Sequence, residues 1–106
     1  MSAKLEYTRK EMRVCLDGEI DHHSASVIRA GIDDAVVLRR PELLILDFEG
    51  VSFMDSSAIG LVMGRYKLMK TIGGKIRVQN LSPGAYKVMC LAGIERLGEV
   101  KQKEVV

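Results

Sequence analysis

Residues 43–59, LLILDFEGVSFMDSSAI, decide the fold. Leu43 to Leu46 is an unbroken apolar run, the pattern of a central strand buried on both faces, so helices must cover its sheet. The run ends in Asp47. Gly50 and a short apolar turn (Val51, Ser52, Phe53, Met54) lead to Asp55-Ser56-Ser57, which opens a helix predicted over about 58–71. Ile59, Val62, Met63, Tyr66 and Met69 form its apolar stripe, and Gly73-Gly74 ends it.

On the N-terminal side, Pro41 marks the link to an amphipathic helix. Ala25, Ile28, Ile32, Ala35 and Val36 form its inner face, Arg29 and Asp33 sit one turn apart on the outside, and Ser24 is the expected N-cap. Ahead of it, Glu19 to His23 (EIDHH) reads as a polar loop. Met12, Val14 and Leu16 alternate with Arg13, Cys15 and Asp17 in a strand that Gly18 closes, and Arg9, Lys10 and Glu11 turn a hairpin from a first strand, Leu5 to Thr8.

On the C-terminal side, Lys75 to Gln79 alternates as a strand. Ser82-Pro83 opens a third helix with Val88, Met89 and Leu91 as apolar positions, and Gly93 stops it before a last strand near Leu97 to Val100. This order predicts one α/β domain over residues 1–106: a mixed β-sheet with an N-terminal β-hairpin, at least two right-handed β-α-β crossovers, and helices packed on the sheet. In such sheets functional groups gather at the carboxyl ends of the strands, here the stretches 18–24 and 50–57.

A chain of 106 residues, 47% of them hydrophobic, can bury one core without metal or disulfide staples. Cys15 and Cys90 lie in apolar stretches with no partner at ligand spacing and read as two buried free thiols. The first residues, MSAKLEYTRK, contain no apolar signal core, and no uncharged apolar run approaches the roughly 18 residues of a bilayer span. A soluble, cytoplasmic protein without a membrane partner is expected. The net charge of +2 comes from 16 basic and 14 acidic residues spread along the chain, which gives no sign of direct nucleic-acid binding.

Asp55, Ser56 and Ser57 stand where a helix start selects caps, so capping alone accounts for them on physical grounds. With two serines in succession, one can cap while the other faces solvent. A phosphate there would meet N–H groups and the positive end of the helix dipole while adding about −1.5 to −2 charge to the surface. Asp21, His22 and His23 do not make a metal site, because neighbouring histidines diverge and no further ligand stands at a recurring spacing. A Ser-His-Asp triad lacks its nucleophile elbow. Gly73-Gly74 lacks the spacing of a phosphate loop. No catalytic constellation, metal or cofactor is expected.

The segments Asp17-Gly18-Glu19-Ile20-Asp21-His22-His23, Leu46-Asp47-Phe48, Val51 to Gly60 (VSFMDSSAIG) and Gly64-Arg65-Tyr66-Lys67 together resemble the anti-sigma factor antagonist family, which is built on the STAS domain. Within it they look most like the sporulation-type antagonists of the forespore anti-sigma factor. The likeness runs from about residue 4 to residue 100. It implies partner switching: the unphosphorylated antagonist binds an anti-sigma factor that is also a serine kinase and thereby releases the sigma factor. The kinase phosphorylates the first serine after the aspartate, Ser56, and the product dissociates until a serine phosphatase restores it.

By the same resemblance, Asp21, His22, Asp55, Ser56 and Ser57 form the partner-binding face, and the protein is a substrate and ligand, not an enzyme. Ala58 stands where the family usually has glycine. The final helix that many relatives carry is expected to be short or missing in this chain, which bears on how the third helix is covered; a monomer or a weak homodimer is expected. The competing reading from another class is a non-switching STAS scaffold subunit of a stress-signalling or lipid-transport complex, which need not keep Asp-Ser-Ser.

Overall fold

A computed structural model describes residues 2–104; the predicted boundaries at residues 1 and 106 lie outside the described residues. β1 (Ser2–Tyr7) and β2 (Glu11–Ile20) form the expected hairpin. α1 (His22–Arg39), β3 (Leu43–Met54), α2 (Ser57–Thr71), β4 (Lys75–Leu81), α3 (Pro83–Leu91), a single 3-10 turn at Ile94–Arg96 and β5 (Glu99–Gln102) follow. The sheet has the order β1-β2-β3-β4-β5, antiparallel only between β1 and β2. Each later strand lies beside its predecessor, and a helix lies in every parallel connection, so this is the mixed α/β sheet that the sequence predicts.

The register shows what the sheet's two faces carry. Met12, Leu44 and Ile76 align across the three central strands, as do Val14, Leu46 and Val78, and all six are buried in one core with Ile28, Ile32 and Val36 of α1, Leu61, Val62 and Met69 of α2 and Met89 of α3. Alternation sends Arg13, Ile45 and Arg77, and Cys15, Asp47 and Gln79, to the opposite face. β3 is therefore buried on both faces, as expected, but helices cover only one of them.

On the helix-free face Asp47 is 2% exposed. Its carboxylate accepts from Arg13 Nε (3.1 Å) and Nη2, from Asn80 Nδ2 (3.0 Å), from Gln79 Nε2 (3.3 Å) and from the Glu49 N–H (3.0 Å). Burial pushes its pKa up, but these donors outweigh burial and hold the carboxyl below its ordinary value. Asn80 sits at a φ of 60°, a left-handed conformation that asparagine tolerates better than most residues, and its side chain is spent on Asp47.

Several boundaries move from their expected places. β2 does not close at Gly18 but runs to Ile20, because β3 is longer than its apolar run and pairs Gly18, Glu19 and Ile20 with Val51, Phe53 and Met54. The stretch Gly50 to Met54 is thus strand, not turn; the register shifts leave an extra residue on β3 each time, and Gly18, with a φ of 76°, sits on β2 beside the second of them. Gly50 lies against this irregularity: a Cβ there would meet the Leu16 carbonyl oxygen at 2.8 Å and the Asp17 Cβ at 2.9 Å. Gly50→Ala is expected to cost about 1–3 kcal/mol by overpacking, read as a lower Tm with unchanged secondary structure.

Other differences concern burial. α2 hides Ala58, Leu61, Val62, Arg65 and Met69 most deeply, while Ile59, Met63 and Tyr66 pack at the core's margin. Arg65 was masked by its charge; it lies inside because its guanidinium meets Asp33 of α1 (Nε to Oδ1 2.8 Å; the better-aligned bond is Nη2 to Oδ2, 3.4 Å) and its Nη1 donates to the Leu61 carbonyl (3.3 Å). Asp33 consequently faces α2 instead of solvent. In α3 only Met89 is buried, whereas Val88 is exposed and Leu91 is 79% exposed. The thiols of Cys15 and Cys90 are half-buried, not enclosed; Cys15 lies on the helix-free face and donates to Glu6 (3.3 Å). The last strand starts at Glu99, two residues later than expected.

Candidate functional site

β2 and β3 end side by side, with Ile20 paired to Met54, and each runs straight into a helix start. The Asp55 N–H donates to the Ile20 carbonyl (3.1 Å), so the entrances to α1 and α2 are tied by backbone. This brings the 19–23 and 52–57 segments to one end of the sheet.

Asp21, not Ser24, is the N-cap of α1. Its Oδ1 accepts from the Ser24 N–H (2.8 Å), and Ser24 Oγ accepts in return from the Asp21 N–H (2.9 Å), a reciprocal capping box with serine in the third helical position. The expected cap and the true one are thus the two ends of one motif. Asp21 remains exposed, and the Ser24 N–H, with the Ser24 hydroxyl beside it, holds its carboxyl below the ordinary range.

At α2 the capping group is Asp55, whose Oδ1 accepts from the Ser57 N–H (2.7 Å). The next two N–H groups are also occupied: Ala58 donates to the Asp55 carbonyl (3.1 Å) and Ile59 to the Ser56 carbonyl (3.1 Å). Ser56 makes no side-chain cap bond, and its side chain is exposed. The helix start is therefore satisfied without the Ser56 hydroxyl, and capping does not explain this serine. A phosphate on Ser56 would find the N–H groups of Ser57, Ala58 and Ile59 already engaged and would feel mainly the helix dipole. Ala58 is fully buried, so its methyl belongs to the core.

His22 and Ser57 line a depression of about 380 Å³ between the first turns of α1 and α2, together with Ser26, Arg29 and Gly60. Asp21, Asp55 and Ser56 lie outside it; Asp21 and Ser56 are each next in sequence to a lining residue, and Asp55 is two residues from Ser57. His23 instead lines a groove between β1 and α1, so the two histidines diverge. Among the described residues no three His, Cys, Asp or Glu side chains converge as ligands would.

Two members of this surface escaped the sequence reading. Arg29 lines the depression although helical spacing marked it only as an outer residue. Phe53, paired in register with Glu19, is 57% exposed although an aromatic in an apolar stretch is expected inside. Plain strand alternation would place Val51 and Phe53 on one face; the register shift between Gly18↔Val51 and Glu19↔Phe53 breaks it, so this exposure was not legible in the sequence.

The sequence matches the STAS domain family over residues 4–105. It is 31% identical over 105 residues to the anti-sigma F factor antagonist of Paenibacillus polymyxa, covering 99% of this chain and 90% of that protein. Its fold is similar to that of the anti-sigma factor antagonist SpoIIAA in its unphosphorylated form, with a TM-score of 0.82 at 36% identity over 93% of this chain and 87% of that one. The phosphorylated form of the Bacillus cell fate determinant SpoIIAA matches with a TM-score of 0.76 at 36% identity, over 93% of this chain and 90% of that one.

Proposed function

The chain belongs to the STAS domain family, and from that membership we propose that it is an anti-sigma factor antagonist switched by phosphorylation of Ser56. Unphosphorylated, it binds an anti-sigma factor serine kinase through the surface that carries Asp21, His22, Asp55, Ser56 and Ser57, and the sigma factor is released. The kinase then transfers the γ-phosphoryl group of ATP to Ser56 Oγ, the hydroxyl proton is lost, and the phosphorylated chain dissociates. A serine phosphatase returns it to the binding form. The protein is substrate and ligand in this cycle, acting in the cytoplasm with sporulation as the setting; no helix among the described residues is long and apolar enough to cross a membrane.

The observation that carries the reading is the exposed Ser56 hydroxyl on a helix start already capped by Asp55. Adding a phosphate there leaves the fold's own hydrogen bonds in place and places about −1.5 to −2 charge on the exposed surface beside Asp55. Structures of SpoIIAA in unphosphorylated and phosphorylated forms both match this fold, which fits a switch that changes a surface and not an architecture.

Intact-mass spectrometry after incubation with the cognate kinase and ATP tests the proposal. One added phosphate is expected, mapping to the peptide that contains Ser56 and absent from Ser56→Ala. No addition by a kinase active on another substrate would instead favour a constitutive scaffold.

A further inference from the structure

β1 is the longer of the two edges of the sheet. The opposite edge, β5, has only four residues, and a very short edge strand is a common guard against edge pairing. β1 has six, SAKLEY. Its hydrogen-bonding direction follows from the hairpin. The Thr8 N–H donates to the Glu11 carbonyl (2.9 Å), and the register from Tyr7↔Met12 to Ser2↔Asp17 is unbroken. Residues of an antiparallel pair alternate between bonding across and bonding outward, so Tyr7, Leu5 and Ala3 turn their N–H and C=O groups away from β2.

The side chains of this strand suit a second copy of itself. About a two-fold axis at Leu5, an antiparallel β1–β1 pair sets Lys4 of one copy opposite Glu6 of the other, twice, on the helix-free face. Those two positions form a non-hydrogen-bonded pair, the kind in which side chains approach most closely. On the helix face Leu5 meets Leu5, and the small Ala3 meets the large Tyr7, whose ring Arg39 already covers at 3.9 Å. Alongside lies an apolar groove of about 450 Å³ between β1 and α1, lined by Ala3, Leu5, Val27, Ile28, Gly31 and Ile32 among others, with Val27 64% exposed at its rim.

We propose that two copies of this chain associate through their β1 edges into one continuous sheet, with Lys4–Glu6 pairs and the two β1–α1 grooves facing each other across the axis. The contact is self-complementary, as a two-fold interface must be. It is a modest surface, so the dimer is concentration-dependent.

Sedimentation velocity from about 10 µM to about 1 mM, where a weak pair changes population, tests this. The expected result is a monomer–dimer equilibrium. Lys4→Glu sets like charges opposite each other at both pairs and should weaken association by about tenfold, roughly 1.4 kcal/mol, while Lys4→Glu with Glu6→Lys restores it. Ala3→Pro removes an outward N–H that the β1–β2 ladder does not use, so it should abolish the dimer and leave the monomer's melting curve unchanged. A chain that stays monomeric throughout, or a dimer indifferent to Lys4→Glu and Ala3→Pro, overturns the proposal.

Discussion

Asp47→Ala is expected to destabilise the protein by about 2–3 kcal/mol, lowering Tm by about 10 °C for a domain of this size. The substitution leaves the half-buried Asn80 and Gln79 amides and the Glu49 N–H facing an acceptor that has gone; a fully buried unmatched group costs about 1–3 kcal/mol, and each of these costs less because water reaches it. Arg13 contributes less than its two hydrogen bonds suggest, because its side chain is 42% exposed and water screens the pair. Asn80 also loses the bond that anchors it in a left-handed conformation. Asp47→Asn, which keeps an acceptor oxygen and loses the charge, should fall between Asp47→Ala and the unsubstituted chain.

The same carboxylate sets part of the acid limit of stability. Its folded-state pKa is lowered from an unfolded value of about 3.9, so the stability it contributes is fully present above about pH 5 and is lost as the pH falls through 4 toward the folded value. Urea midpoints at pH 7 and pH 3 measure this, and the difference between them should shrink in Asp47→Ala. A midpoint difference equal to that of the unsubstituted chain would mean that other carboxylates carry the acid transition.

Ser56→Asp is expected to weaken binding of the kinase partner by at least tenfold, whereas Ser56→Ala binds as well as the serine form and cannot be released. A tenfold loss needs only about 1.4 kcal/mol, and like charges set against one another at a desolvated contact readily supply it. Both variants should fold, since Asp55 and the backbone hold the start of α2 without the Ser56 side chain. Calorimetric titration of the partner with each variant reads the outcome, with circular dichroism as the control. Equal affinities would remove phosphorylation as the cause of release.

The β-α-β order was legible because its signals are local. The apolar run 43–46, the alternation at 12–17 and 75–79 and the helical stripes each reflect which side of a single element must leave water. The position of Ser56 at a helix start was legible for the same reason. What the sequence did not disclose were quantities set by a neighbouring strand or helix. β2 and β3 extend past their apolar runs because each supplies the other's hydrogen bonds, so Glu19 and Ile20, read as a polar loop, and residues 50–54, read as an apolar turn, are strand.

Burial of charge was equally hidden. Arg65 and Asp47 carry the residue types that mark a surface, and each lies inside only because partners distant in sequence meet it: Asp33 for the first, Arg13, Gln79 and Asn80 for the second. The sequence named Ser24 as the cap of α1, whereas the cap is Asp21 with Ser24 as its reciprocal partner three residues on. The sequence by itself determined the elements and their order, because hydrophobic periodicity is a property of one segment. Tertiary structure decided where the elements end, which charges are buried and whether Ser56 is a cap or a free hydroxyl, because each of those depends on hydrogen-bond partners that another part of the chain brings.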